Sequence, residues 1–200
     1  MLLSPQRAAA GEVRVYRGAT VVDGTGGPRF VADVAVEGAR VVAVRRAGEH
    51  PLGLLPEGTV EIDAAGLVLA PGFIDMHAHS DLAVLRGADH DAKIRQGVTT
   101  EVIGQDGLGY APLDDATAAV IPAQIAGWNG DAGTVPWRSM DDYLARIHEA
   151  TAGNVAVLVP QGNLRMMVVG HQNRPATPDE LEKMAALLGD ALDAGAFGMS

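Results

Sequence analysis

The pattern of apolar and polar residues changes once along the chain, near residue 66. Residues 13–65 contain short runs rich in β-branched residues that are separated by glycine-rich turns, which is typical of β-strands. Gly38 lies between two of these runs and predicts a hairpin turn. We therefore predict a small antiparallel β layer over residues 12–65, preceded by a flexible tail at residues 1–11.

Beyond residue 66 the apolar runs lengthen and alternate with helix patterns. Residues 67–74 are almost continuously apolar, as expected for a strand buried on both faces of a parallel sheet, and Pro-Gly at 71–72 interrupts them. The remaining predicted elements are a helix at 88–96, a strand at 99–104, a helix at 115–128 that Pro122 kinks or splits, a helix at 139–149, a strand at 154–160, a helix from Thr177 to Gly195, and the start of a strand at 197–200.

This alternation of strands and helices predicts a parallel α/β fold. No GxGxxG sequence follows the first strand, so a dinucleotide-binding fold has little support. A (β/α) barrel fits better, and such a barrel usually has about 250 residues and eight strands. Residues 66–200 supply four predicted strands, so we expect the first half of a TIM-like barrel after the β layer.

Composition and charge narrow the possible functions. The chain is 48% hydrophobic and 20% charged, as in globular proteins, and its net charge of −10 disfavours nucleic acids and anionic membranes as partners. The absence of cysteine excludes disulfides, thiolate metal ligands and cysteine nucleophiles. No apolar run reaches the roughly 18 residues of a membrane span, and the first residues lack a signal-peptide pattern, so we expect a cytoplasmic protein.

Two histidines that stand one residue apart follow the first long apolar run, in the sequence PGFIDMHAHS at 71–80. Alternate residues of a strand share a face, so we expect Asp75, His77 and His79 to point to one side. Active sites of barrel enzymes lie at the C-terminal ends of the strands. Imidazoles and carboxylates bind zinc, which lowers the pKa of bound water toward about 7. A short His-x-His also occurs by chance, and the rings could simply fill space.

These residues resemble the amidohydrolase superfamily, in which PGxIDxHxH ends the first barrel strand. The likeness is closest to the D-aminoacylase, or N-acyl-D-amino-acid deacylase, family, and it covers nearly the whole chain. The segments that carry it are VVDGTGG (21–27), APGFIDMHAHSDL (70–82), KIRQGVTTEVIG (93–104), DGLGYAP (106–112) and RPATPDEL (174–181). The resemblance implies that residues 12–65 are part of a small β-sandwich and that residues 66–200 are the first half of a metal-dependent barrel.

The resemblance also implies a set of metal ligands. His77 and His79 match the paired ligands of the family's first strand, and Asp106 stands in GQDG, where many relatives have a metal-binding cysteine. Asp106 is therefore implied as a third ligand, the alternative being an Asx turn at the following glycine. Zinc is the expected ion, and a carboxylate in place of a thiolate makes other divalent ions such as Mn²⁺ more acceptable. Asp75 and Asp81 are expected to line the site.

Other residues carry weaker expectations. His171 lies in a polar loop and is expected to be solvated. Trp128 and Trp137 are expected to pack between helix and loop. Gly109 and Gln161 stand where many relatives have serine and histidine, a difference that could alter substrate contacts.

The activity implied by the resemblance is metal-dependent hydrolysis of the amide bond of N-acyl-D-amino acids. The family's other metal-binding histidines and its proton-shuttling aspartate belong to later strands and are expected beyond Ser200, so we expect this chain to be a fragment that is inactive alone. Two alternatives stay open. One is a cyclic amidase related to dihydroorotase or hydantoinase, although no lysine stands at 195–200 to serve as their bridging ligand. The other is a non-catalytic binding module.

Overall fold

The computed structural model describes residues 12–50 and 52–200, and for residues 88–91 it describes the backbone only. Contacts within the chain separate two compact units, the first ending at Pro71 and the second beginning at Gly72. The predicted tail at residues 1–11 lies outside the described residues.

The first unit is a five-stranded sheet. Its strands are β1 (Val13–Val21), β2 (Phe30–Glu37), β3 (Arg40–Arg46), β4 (Val60–Asp63) and β5 (Val68–Leu69). The β2–β3 hairpin turns at Gly38, where φ is +55°, and this confirms the predicted turn. The prediction of a wholly antiparallel layer is wrong, because β4 and β5 both run parallel to β1. Parallel strands need a crossover connection rather than a tight turn, and the chain passes through β2 and β3 before it reaches β4.

The second unit contains a parallel sheet in the order β6-β7-β8-β9. Its strands are β6 (Phe73–Asp75), β7 (Val98–Ile103), β8 (Asn154–Val159) and β9 (Gly198–Met199). Its helices are a 3₁₀ stretch (Ala83–His90), α1 (Asp91–Ile94), α2 (Asp115–Ala118), α3 (Ile121–Gln124), α4 (Ala126–Asn129), α5 (Met140–Ala150), α6 (Gln161–Val169) and α7 (Pro178–Asp193). Strands and helices alternate along the chain, which confirms the predicted parallel α/β fold.

The sequence predicts that the long apolar run at 67–74 forms one buried strand, and this prediction is wrong. Its first part becomes β5 in the first sheet, and its last part becomes β6 at the edge of the second sheet. Gly72 lies so close to Thr99 that a Cβ there would overlap the threonine side chain, at 2.0 Å from Oγ1. Phe73 and Ile74 are more than half exposed, and β6 is an edge strand that pairs only with β7.

Helix boundaries in the second unit follow local signals. The Ser139 hydroxyl accepts a hydrogen bond from the Asp142 amide at the start of α5, as predicted. Pro122 lies in the first turn of α3, and the predicted helix at 115–128 is split into α2, α3 and α4. Helix α6 was not predicted, since its N-cap is Pro160 and no side chain caps it.

The main core of the second unit combines buried residues of β7 and β8 with buried residues of α3, α5, α6 and α7. Tyr143 of α5 is fully buried and stacks on Trp137, with ring centroids 5.4 Å apart. The Trp137 indole donates to the carbonyl oxygen of Tyr110, so the prediction of a packed Trp137 is confirmed. Among the described residues, no helix has both the length and the apolar character needed to cross a membrane.

Helix α7 begins with a reciprocal capping box, and this gives a pH-dependent prediction. Thr177 and Glu180 each bond the other's backbone amide, and Arg174 forms an ion pair with Glu180. The Arg174 hydrogen bond holds the pKa of Glu180 at about 2, below its ordinary value of 4.5. Because this pKa is lowered on folding, the contribution of the Glu180 charge is present above pH 4.5 and is lost as the pH falls toward 2.

Glu180→Gln is therefore expected to lower the melting temperature at pH 7 and to lower it much less near pH 3. Thermal melts of both proteins at the two pH values provide the measurement. Glu182→Gln, at an exposed position on the same helix, is the control. A melting difference for Glu180→Gln that is equally large at both pH values would contradict the assignment.

Candidate metal centre

Three side chains of the second unit bring ligand atoms together beside the ends of β6 and β7. They are His77, His79 and Asp106, and one ligand atom of each lies within 4.8 Å of the others. The Asp106 Oδ2 atom lies 3.5 Å from Nε2 of His77 and 3.2 Å from Nε2 of His79. The two imidazole rings have centroids 5.2 Å apart and meet edge to face at 69°.

The two histidines lie beyond the end of their strand rather than in it. Strand β6 ends at Asp75, and the following backbone bends before His77. Strand β7 holds this segment from the side, since the Ala78 amide donates to the Val102 carbonyl oxygen at 3.0 Å. The two rings lie on one side, as expected, although the backbone that carries them is not part of a regular strand.

Asp106 occupies a loop that only a few residue types tolerate. Its φ is +61°, and it is the one residue other than glycine with positive φ in the part of the chain that the structure describes. Aspartate adopts this left-handed conformation more readily than most residues. Ser200 fixes the loop, because its hydroxyl donates to the Gly104 carbonyl oxygen at 2.6 Å and accepts from the Gly107 amide at 3.2 Å.

The two separations that join Asp106 to the histidines fit one divalent cation. Donor atoms around a tetrahedral ion with bonds of about 2.0–2.1 Å lie about 3.3 Å apart. The two separations from Asp106 Oδ2, 3.2 and 3.5 Å, bracket that value. His77 and Asp106 are more than half exposed and His79 is 30% exposed, so solvent reaches the site. Two imidazoles and a carboxylate suit zinc and several other divalent ions.

The two other aspartates predicted for the site lie beside the ligands but have other partners. Asp75 forms an ion pair with Lys93 and accepts the His77 amide hydrogen bond at 3.3 Å. Asp81 is buried, and its Oδ1 atom accepts the Gly104 amide at 3.1 Å. Burial raises the pKa of Asp81 to about 6, against the lowering effect of its backbone hydrogen bonds.

A tryptophan that we expected to be packed stands open at the site. Trp128 is 53% exposed, and its ring centroid lies 6.1 Å from that of His79, so the prediction that it packs between helix and loop is wrong. With the Asn129 amide oriented to satisfy its neighbours, its nitrogen donates to the His79 carbonyl oxygen and its oxygen accepts from the Trp128 indole. Trp128 is thus held at the edge of the site by its own neighbour in α4.

Gln161 is the first residue of α6, and Gly109, in the segment between β7 and α2, lies beside the N-cap of that helix. A Cβ at Gly109 would lie 2.8 Å from Cγ of Pro160, so the space beside it is already filled. The Gly109 amide donates to the fully buried side chain of Asn163 at 3.2 Å. Gln161 is exposed, and so is His171, as expected.

A group of buried polar residues next to the ligands was missed by the sequence analysis. Glu101 of β7 and Ser80 are both buried and hydrogen-bonded to each other, and Lys93 of α1 reaches Glu101 as well as Asp75. The one available signal was Glu101 itself, which is the single charged residue of its strand and is followed by the apolar Val102 and Ile103.

The parallel sheet with paired histidines after its first strand agrees with the resemblance seen in the sequence, and so does the comparison with protein families. Residues 60–200 match the model of the Amidohydrolase family, and the chain belongs to that family. The fold is accordingly α/β with a partial TIM barrel.

Comparison with individual proteins indicates a narrower group within this family. The chain is 40% identical, over 93% of its length, to the N-acyl-D-aspartate deacylase of Alcaligenes xylosoxydans xylosoxydans. A solved structure of a D-aminoacylase, described with a binuclear metal centre, is 39% identical over 93% of the chain with a TM-score of 0.76. The N-acyl-D-glutamate deacylase of Bordetella bronchiseptica, solved with zinc and a phosphonate mimic of the tetrahedral intermediate, is 32% identical over 96% of the chain with a TM-score of 0.78.

The chain spans only part of each of these proteins. It covers 36% of the N-acyl-D-aspartate deacylase, 37% of the D-aminoacylase and 38% of the N-acyl-D-glutamate deacylase.

Proposed function

We propose that this chain supplies the first part of a metal-dependent hydrolase that cleaves the amide bond of N-acyl-D-amino acids. The observation that carries the proposal is the convergence of His77, His79 and Asp106 at one point that solvent reaches. Membership of the Amidohydrolase family and the high identity to proteins named as D-amino-acid deacylases support the substrate class.

Zinc is the proposed ion, and another divalent ion is the second choice. His77, His79 and Asp106 would hold it, in keeping with the preference of zinc for nitrogen and oxygen donors. Such an ion polarises a carbonyl oxygen and lowers the pKa of bound water, which is the chemistry that amide hydrolysis requires. The relatives solved with zinc and with a binuclear centre support this choice.

The side chains around the ligands have separate proposed roles. Asp106 keeps one carboxylate oxygen facing both imidazoles, and its exposure leaves it accessible to solvent. Asp81 is proposed to line the buried side of the site, where its carboxylate accepts the amide hydrogen bond of Gly104, the first residue of the loop that carries Asp106. Neither Asp75 nor Asp81 receives the proton-transfer role, since one is paired with Lys93 and the other is buried.

The domain organisation is also a proposal. Residues 12–65 would form part of a small β-sandwich, and residues 66–200 would form the first half of the barrel. Four parallel strands in sequential order in the second unit support the barrel portion. The division between the units falls at 71/72, a few residues beyond the proposed boundary. The partner would be a small acylated amino acid, with no nucleic acid and no membrane, and a cytoplasmic location stays a prediction.

A chimaeric enzyme tests the proposed function directly. The 187-residue aligned part of this chain would replace the corresponding 36% of the N-acyl-D-aspartate deacylase. We expect the chimaera to hydrolyse N-acetyl-D-amino acids and to leave the L-enantiomers intact, and we expect the 200-residue chain alone to show no turnover. Mass spectrometry of the released amino acid measures both.

The controls of this experiment separate the competing functions. The chimaera with His77→Ala and His79→Ala is expected to lose activity, while the chimaera with His171→Ala keeps it. Preferential hydrolysis of hydantoins or dihydroorotate would support a cyclic amidase instead. A folded chimaera that binds metal but cleaves none of these substrates would support the non-catalytic module.

A further inference from the structure

The Lys93 ammonium lies between two carboxylates of neighbouring strands. It forms a hydrogen-bonded ion pair with Oδ2 of Asp75, at the end of β6, and lies 3.4 Å from Oε2 of Glu101 in β7. The Glu101 side chain is only 7% exposed, so its charge needs a partner inside the protein. The Asp75 hydrogen bond raises the pKa of Lys93, so Lys93 stays positively charged at neutral pH.

Lys93, Asp75 and Glu101 form a charged network, and its hydrogen bonds reach both ends of the His-x-His segment. At one end, Asp75 accepts the backbone amide of His77 at 3.3 Å. At the other end, the hydroxyl of Ser80, the residue after His79, donates to Oε2 of Glu101. One lysine therefore connects the residues on each side of the two imidazoles.

The backbone between these two ends is held by β7 as well. The Ala78 amide donates to the Val102 carbonyl oxygen, and the Gln105 side chain donates to the carbonyl oxygens of Met76 and Val102. The His77 side chain is 58% exposed, whereas the His79 side chain is 30% exposed and lies beside Trp128. The position of the His77 ring, and with it the separation of the two rings, therefore depends on the backbone that carries it more than on packing of the ring.

We propose that Lys93 is a positioning residue, which fixes residues 75–80 through Asp75 and Glu101 and so sets the separation of the His77 and His79 rings. This inference rests on the metal site of the proposed function. Lys93 touches neither the ion nor the substrate in this role. It acts as the hydrogen-bond partners of metal ligands generally do, by fixing the orientation of the ligands before the ion binds.

Metal titration of three variants tests the role of the charge. Lys93→Met is expected to weaken the binding of Co²⁺ and Zn²⁺ by about 10- to 100-fold, the usual effect of losing an outer partner of a metal site. Lys93→Arg keeps the charge and is expected to restore most of the affinity. Lys183→Met, at an exposed lysine of α7, is the matched control and leaves the affinity unchanged.

A second measurement separates positioning from general stabilisation. Ile147→Ala removes a buried side chain of α5, away from the network, and should lower the melting temperature without changing the metal affinity. Amide hydrogen exchange is measured in the metal-free proteins. Lys93→Met is expected to speed exchange at His77 and Ala78 by more than tenfold relative to Tyr143 in α5, whereas Ile147→Ala is not.

Each outcome decides the question. Unchanged metal affinity and unchanged exchange at His77 and Ala78 in Lys93→Met would overturn the positioning role. A wild-type chain that binds no metal would refute a metal site made by His77, His79 and Asp106 alone, while the exchange rates would still test the role of Lys93 and the chimaera would still test the proposed function. If Lys93→Met fails to fold, the uncharged triple variant Asp75→Asn, Lys93→Met, Glu101→Gln replaces it, and wild-type affinity and exchange in that variant would equally overturn the proposal.

Discussion

Replacing both His77 and His79 with alanine is expected to abolish divalent-metal binding by this chain while leaving it folded. The two imidazoles provide two of the three donor atoms that lie within 4.8 Å of one another. We expect the dissociation constant for Zn²⁺ to rise more than about 100-fold, beyond the effect of losing an outer hydrogen bond. Competition titration with a chromophoric chelator measures it.

The fold should survive because neither ring is part of the core. The His77 side chain is 58% exposed, and the hydrogen bonds that hold this segment come from its backbone and from Asp75, Ser80 and Gln105. The melting temperature of the metal-free protein is therefore expected to change by only a few degrees, as for other surface substitutions.

A matched double variant controls for the general affinity of surface histidines for metal. His148→Ala with His171→Ala also removes two imidazoles, both exposed and both outside the cluster. Its Zn²⁺ affinity should equal that of the wild type. If both double variants lost affinity to the same extent, the ion would be held by scattered surface histidines and the candidate centre would be refuted.

Elements that depend on local sequence signals were the most predictable part of the fold. The capping box of Thr177 and Glu180 and the break at Pro122 act within one helical turn, and the structure contains both. The parallel pairing of β4 with β1 was not predictable in this way, since it joins residues more than forty positions apart. A layer of short β-branched runs specifies strands but not the direction in which distant strands pair.

The residues of the candidate site also differ in how far local sequence predicted them. The His-x-His spacing and the GQDG segment pointed to His77, His79 and Asp106, and the structure brings these three together. Lys93 and Glu101 were missed, because their relation to the histidines arises only when α1, β6 and β7 pack. The apolar run at 67–74 predicted one buried strand. In the structure it contributes to two sheets, and Phe73 and Ile74 are exposed, because burial depends on the elements that pack on a strand and not on the strand's own sequence.

Gly104→Ala is expected to destabilise the second unit by about 2–5 kcal/mol, the sum of about 1–2 for a left-handed backbone and about 1–3 for overpacking. Gly104 has φ of +79°, and a Cβ there would lie 2.3 Å from the Leu158 carbonyl oxygen, an atom of the neighbouring strand β8. Because that atom is backbone, it can move only if the strands separate. Urea unfolding measures the change in free energy.

Gly133→Ala separates the two contributions. Gly133 also has positive φ, at +57°, and belongs to the same unit, but a Cβ there would meet no atom within 4 Å. It should cost only the backbone term, so the difference between the two variants gives the cost of the clash with Leu158. Equal losses of stability in the two variants would mean that strand β8 moves away from the added Cβ at no cost in free energy.

Gly104 also accepts the Ser200 hydroxyl and donates its amide to Asp81. Displacing Gly104 should therefore move Asp106 and weaken Zn²⁺ binding, whereas Gly133→Ala should not.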